Sequence, residues 1–98
     1  MPLRVELPPT LRDRLAAADR PLIGLWACAG SPITAEIVAG SGCDWVLLDA
    51  EHSPNGLESV LAQLYAMSAY PLAPLVRPPY GDTVTIKQFL DLGAQNLL

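Results

Sequence analysis

The chain has 98 residues, a net charge of -4, 51% hydrophobic residues and 16% charged ones. That length is one domain or part of one, and the composition is too apolar for a disordered segment. The acidic balance and the lack of a basic cluster argue against a nucleic-acid surface, and no apolar run approaches the length of a membrane span.

The start, MPLRVELPPT, has no apolar stretch long enough for a secretory signal, so a cytoplasmic protein is expected. The segment PPTLRDRLAAADRP predicts a first helix, with Thr10 as N-cap, Asp13 completing a capping box and Pro21 as the stop. LIGLW, Leu22 to Trp26, predicts a strand. SPITAEIVAGSG predicts a second helix, with Ser31 at the cap, Pro32 at the first helical position and Gly40 and Gly42 at the end. Cys28 and Cys43 form no CxxC pair, and both are expected to be free, small, buried side chains.

DWVLLD, Asp44 to Asp49, predicts a second strand. Its middle is apolar without alternation, so both faces should be covered, as in a parallel sheet. NGLESVLAQLYAMSAY predicts a third helix, with Asn55 as N-cap and Glu58 closing a capping box. Leu57, Leu61, Leu64 and Met67 recur at helical spacing and are expected to pack the core. PLVRP, Pro74 to Pro78, predicts a third strand. GDTVTIKQFLDLG predicts a fourth helix from Asp82 to Gly93, and NLL starts another apolar run. One helix, three strand–helix units and the start of a strand imply βαβ units on a parallel sheet. Neither GxGxxG nor a Walker A lysine loop is present, which disfavours nucleotide-binding versions of that architecture.

In parallel α/β folds, sites lie at the C-terminal ends of the strands. Here those ends carry Trp26, then Asp49, Glu51 and His52, then Arg77 and Tyr80. A histidine beside carboxylates fits a general base. An arginine held between two apolar strand residues and two prolines fits a grip on a carboxylate or an enolate oxygen. Plainer readings stand beside these: His52 as a solvated loop histidine, Arg77 as a surface ion pair, Asp49 as a loop cap, Glu51 as a solvent-facing acid and Trp26 as core. Asp91 lies near the end of the fourth helix, where its charge opposes the helix dipole, and this suggests a compensating partner.

PLIGLW, AGSGCDWVLLDAEHSPN and PLVRPPYGDTVTIKQFLDLGAQNLL together resemble the N-terminal part of the class II pyruvate aldolases in the HpcH/HpaI aldolase/citrate lyase family. The similarity runs from about Leu11 to Leu98, and the D-x-E-H-x-P-N and V-R-P motifs are its most specific part. The acyl-CoA lyase branch has an acidic residue where His52 stands. The resemblance implies the N-terminal portion of a (β/α)8 barrel over residues 1–98, ending within the fourth strand of a fold of about 250 residues. It implies His52 as catalytic base, Arg77 as the arginine that stabilises the transition state, and Asp91 as the acid that raises the basicity of His52. It places Asp49, Glu51 and Trp26 around the pocket, the two acids near the water shell of a metal.

The implied cofactor is a divalent metal, Mg, Mn or Co, whose ligands lie on later strands, so no residue of this chain is assigned as a metal ligand. The implied reaction cleaves a 4-hydroxy-2-oxo acid, such as 4-hydroxy-2-oxoheptanedioate, to pyruvate and an aldehyde, with 2-dehydro-3-deoxyglucarate as the alternative substrate. The partners are then a small 2-oxo acid and an aldehyde, with no nucleic acid and no membrane, in a homo-oligomer that is a hexamer in the family. On its own the 98-residue chain is expected to be inactive and to self-associate through open sheet edges. The other reading is a half-barrel that serves only as an assembly piece.

Overall fold

Three apolar runs become three parallel strands in the computed structural model, which describes residues 6–98. They are β1 (Gly24–Ala27), β2 (Trp45–Asp49) and β3 (Ala73–Arg77), in spatial order β1-β2-β3. Between and around them run α1 (Leu11–Ala17), α2 (Pro32–Ala39), α3 (Leu57–Met67) and α4 (Thr83–Asp91). The expected alternation is therefore present as an α/β fold with a parallel sheet. The final apolar run joins β3 on its outer side through a parallel bridge between Val76 and Leu97. Closure into a barrel is not something these strands alone display.

Helix starts follow local chemistry. The Thr10 hydroxyl accepts from the Asp13 N–H while the Asp13 carboxylate accepts from the Thr10 N–H. Ser31 and Asp82 cap α2 and α4 by accepting from Thr34 and Thr85. The α3 start departs from expectation. Its N-cap is Gly56, and the Ser59 hydroxyl, not Glu58, accepts from the Gly56 N–H. Asn55 stands one residue outside the helix because its amide is engaged elsewhere.

Register decides which side chains share a face. Ala27, Leu48 and Val76 lie abreast, as do Leu25, Val46 and Pro74. Ala27, Val46, Leu48 and Val76 form the core with Ala35 and Ala39 of α2 and Val60 and Met67 of α3. Along α3 the fully buried positions are Val60, Gln63 and Met67. Leu57 and Leu64 flank that core and Leu61 is half-buried, so the expected leucine stripe is shifted around the helix. A reading that follows only apolar residues passes over Gln63.

The opposite face carries Trp45, Leu47 and Asp49 on β2, with Gly24 and Trp26 on β1 and Leu75 and Arg77 on β3. A methyl group on Gly24 would stand 1.8 Å from the Trp45 ring, so only glycine lets that indole lie across β1. Central β2 is buried on both faces, as its continuous apolar run implies, whereas edge strand β1 leaves Leu25 and Trp26 exposed.

Two contacts tie down the N-terminal end of the strands. The Asn96 amide accepts from the Leu11 N–H and donates to the Pro74 carbonyl, which docks α1. Asp44 accepts from both Arg20 and the Ile23 N–H, and these partners lower its pKa to about 2. Among the described residues no helix is long and apolar enough to cross a membrane. Both cysteines are free; Cys43 is half-buried, but Cys28 is exposed because it follows β1 on the open rim, contrary to expectation.

Leu48→Ala, at a fully buried site between the helices and the sheet, is expected to destabilise by about 2–5 kcal/mol. Ile33→Ala on the exposed side of α2 is expected to cost less than about 0.5 kcal/mol. Urea midpoints of the two variants check the contrast.

Candidate active site at the C-terminal ends of the strands

The site is built on one pair of register partners, Asp49 and Arg77, the last residues of β2 and β3. The guanidinium grips the carboxylate with two parallel bonds, Nε to Oδ1 at 2.9 Å and Nη2 to Oδ2 at 2.8 Å. Asp49 is 2% exposed and the Arg77 side chain 21%, so this is a built pair and not the surface ion pair that sequence leaves open. The same carboxylate caps the following turn. Its Oδ1 accepts from the Glu51 N–H at 2.9 Å and the His52 N–H at 3.3 Å. The Arg77 bonds hold the Asp49 carboxyl well below the usual carboxylate range, against its burial and with help from those two N–H groups. Asp49 in turn raises the pKa of Arg77.

Around this pair stand the other expected residues. The Glu51 Oε2 lies 3.2 Å from Arg77 Nε, and its Oε1 lies 3.4 Å from His52 Nε2. The His52 side chain is 72% exposed and faces solvent. Trp26 is not core: it is 47% exposed, and the Arg77 guanidinium sits over its ring at 4.7 Å. Arg77 thus has one face on an indole and two nitrogens on carboxylates, while Nη1 has no hydrogen bond among the described residues. A cavity of about 470 Å³ opens beside it, lined by Glu51, Arg77, Pro78, Tyr80, Ile86 and Leu98. The larger hollow, about 700 Å³, lies at the other end of the strands and has no acid or histidine in its lining.

The structure brings Trp26, Asp49, Glu51, His52 and Arg77 to one rim, and Asp91 does not join them. α4 leaves the rim after β3 and runs back antiparallel to it for nine residues, or about 13 Å. Asp91 ends that helix, exposed, at the opposite end of the sheet from His52. Among the described residues no hydrogen bond or ion pair joins the two, so the expected pair does not form within one chain.

Three residues shape the site without having been singled out for it. The Asn55 amide donates to the Asp49 carbonyl at 2.8 Å and accepts from the Gln63 amide at 2.7 Å. Gly30, at φ +68, brings the loop after β1 against the Pro54 carbonyl, which a methyl group would approach to 2.7 Å. The Gly30 role was visible only as a glycine in a strand-end loop. The Asn55 and Gln63 roles depend on a contact eight residues apart that no cap rule describes.

The side chains at this rim, among the described residues, do not form a metal site. Both Asp49 oxygens are taken by Arg77 and the turn, and Glu51 faces Arg77 and His52. Among the described residues no three of His, Cys, Asp and Glu gather closely enough to hold an ion.

The depressed pKa of Asp49 makes a pH prediction. Its contribution to stability is full above its unfolded pKa of about 3.9 and is lost as pH falls toward the lower folded value. Arg77→Gln removes the main cause of that depression. The stability gap between wild type and this variant should therefore be full at about pH 7 and shrink below about pH 4. Urea midpoints across that range check it, and a gap independent of pH would contradict it.

Residues 22–98 match the family model described as HpcH/HpaI aldolase/citrate lyase. The chain is 55% identical over its whole length to a hydroxypyruvate/pyruvate aldolase of Deinococcus radiodurans, of which it covers 36%. It is 54% identical, over 83% of its length, to a 4-hydroxy-2-oxo-heptane-1,7-dioate aldolase of Salmonella arizonae, of which it covers 31%. Its fold matches the crystal structure of an HpcH/HpaI aldolase/citrate lyase family protein from Burkholderia cenocepacia with a TM-score of 0.84 and 43% identity, over 89% of this chain and 35% of that one. It matches the citrate synthase SbnG with a TM-score of 0.81 and 30% identity, over 90% of this chain and 36% of that one. The chain thus spans about a third of the length of these relatives. With 77 consecutive residues matching its model, the chain belongs to the HpcH/HpaI aldolase/citrate lyase family.

Proposed function

We propose that these 98 residues supply the base and the enolate-binding arginine of a (β/α)8-barrel lyase that cleaves a 4-hydroxy-2-oxo acid to pyruvate and an aldehyde. The observation that carries this reading is the rim itself. An exposed imidazole and a guanidinium with a free nitrogen stand on either side of one carboxylate, Glu51, at the ends of adjacent strands. In the cleavage, His52 takes the proton of the 4-hydroxyl. The bond between C3 and C4 breaks, the hydroxyl-bearing carbon leaves as an aldehyde, and the electron pair passes into the enolate of pyruvate. Nη1 of Arg77 meets the developing oxyanion, and a proton returned to C3 completes pyruvate. Asp49 fixes the guanidinium in advance, so the arginine need not reorganise during the reaction.

The names of the Deinococcus and Salmonella relatives support a short 2-oxo acid as the common unit, with 4-hydroxy-2-oxoheptanedioate as the first substrate to test. A divalent Mg, Mn or Co ion belongs to this proposal for the whole enzyme. The donor set here does not fit one, so its ligands would lie outside these residues. For that reason the 98-residue chain by itself is expected to give no turnover.

Asp91 enters the proposal only through assembly. From the far end of its own strand layer it reaches a His52 only on another copy, and a homo-oligomer provides one. In the completed enzyme, mixing copies carrying His52→Ala with copies carrying Asp91→Ala should then restore part of the rate that each lacks alone. No restoration at any ratio would remove Asp91 from the site.

The direct test follows pyruvate release from 4-hydroxy-2-oxoheptanedioate with added Mn or Mg. The chain alone is expected to be silent. Combined with the C-terminal two-thirds of the Deinococcus relative it should release pyruvate, and His52→Ala should lower that rate at least about 100-fold. A His52→Ala protein that matched wild type would overturn the reading.

A further inference from the structure

We propose that Gln63 is a positioning residue for the Glu51–His52 turn, acting through Asn55. Gln63 projects from α3 into the core and is 1% exposed. Its Nε2 donates to Asn55 Oδ1 at 2.7 Å and to the Ser59 carbonyl at 2.9 Å. Its Oε1 is buried and has no hydrogen-bond partner among the described residues. Turning the amide over would aim Oε1 at two acceptors, so the donor orientation is fixed. Burying an amide costs desolvation that leucine or methionine would not, so the place of Gln63 is explained by the bonds it donates and not by packing alone.

The donated proton has a consequence at the rim. Because Asn55 Oδ1 accepts from Gln63, its Nδ2 must face the other way, where it donates to the Asp49 carbonyl at 2.8 Å. That bond ties the two ends of the segment from Asp49 to Asn55, and Glu51 and His52 project from between them. At the same residue the Asp49 carboxylate accepts from the Glu51 and His52 N–H groups. The Ser59 hydroxyl also donates to Asn55 Oδ1, at 3.0 Å, but its single proton is shared with the Gly56 carbonyl at 3.2 Å. Gln63 Nε2 on one side and the Asp49 carbonyl on the other thus hold Asn55 in a single orientation, and Gln63 is the buried donor that links α3 to it.

The inference rests on the aldolase reading only for the catalytic purpose of the turn, so its test has two separate readouts. The first is nuclear magnetic resonance of the completed enzyme with Gln63→Leu, and with Gln63→Met as a second variant of similar volume. Exchange of the Asn55 side-chain amide should rise roughly ten-fold, the loss of one net hydrogen bond. The backbone amides of Glu51 and His52 should shift while those of β1 and α2 stay in place. The second readout is pyruvate release by the completed enzyme, where Gln63→Met should lower kcat and leave KM unchanged. Unaltered Asn55 exchange and unaltered Glu51 and His52 amides in both variants would overturn the inference. So would a general loss of structure in both, which would make Gln63 a packing residue. If the completed wild type releases no pyruvate, the aldolase reading fails while the exchange measurement still decides the role of Gln63.

Discussion

Everything at the rim depends on one carboxylate being placed at the end of the central strand. Asp49 stands where β2 stops, level with Arg77 on β3, and satisfies a guanidinium and two backbone N–H groups at once. A buried acid is costly unless it is paired and hydrogen-bonded. Here both conditions are met, by partners that are themselves functional groups. The arginine is held against the Trp26 ring and the following turn is capped, so Glu51 and His52 leave the sheet in a set direction.

This dependence explains the division of labour between the two faces of the sheet. The helix-covered face is aliphatic and holds the layers together. The other face carries two indoles, a carboxylate and a guanidinium on the three strands. Parallel pairing converts the order of strands into the order of groups along the rim, so residues 51 positions apart, Trp26 and Arg77, come into contact.

Much of this was legible in the sequence where it depended on neighbours a few residues away. The caps at Thr10, Ser31 and Asp82 and the strand cores lie where local chemistry puts them. The motif residues could be assigned to strand ends because apolar runs end visibly. What escaped depends on long-range geometry. The grip of Arg77 on Asp49 needs the register of β2 on β3. Asn55 reads as a cap, yet its amide is drawn to a strand carbonyl and the helix starts one residue later. Trp26 could be placed at the rim or in the core from its strand alone, and the exposure of an edge strand decides between them. Asp91 carries a family motif, but the direction of α4 takes it away from His52, and only the folded chain reveals that.

Arg77, held by Asp49 with Nη1 left open, is set to receive an enolate oxygen. The most direct measurement is exchange of the pyruvate methyl protons for deuterium, followed by proton magnetic resonance with the chain completed by the rest of the barrel. Exchange is expected in the wild type and its loss in Arg77→Met, with the fold retained. Exchange that continued unchanged in Arg77→Met would contradict this role of Arg77.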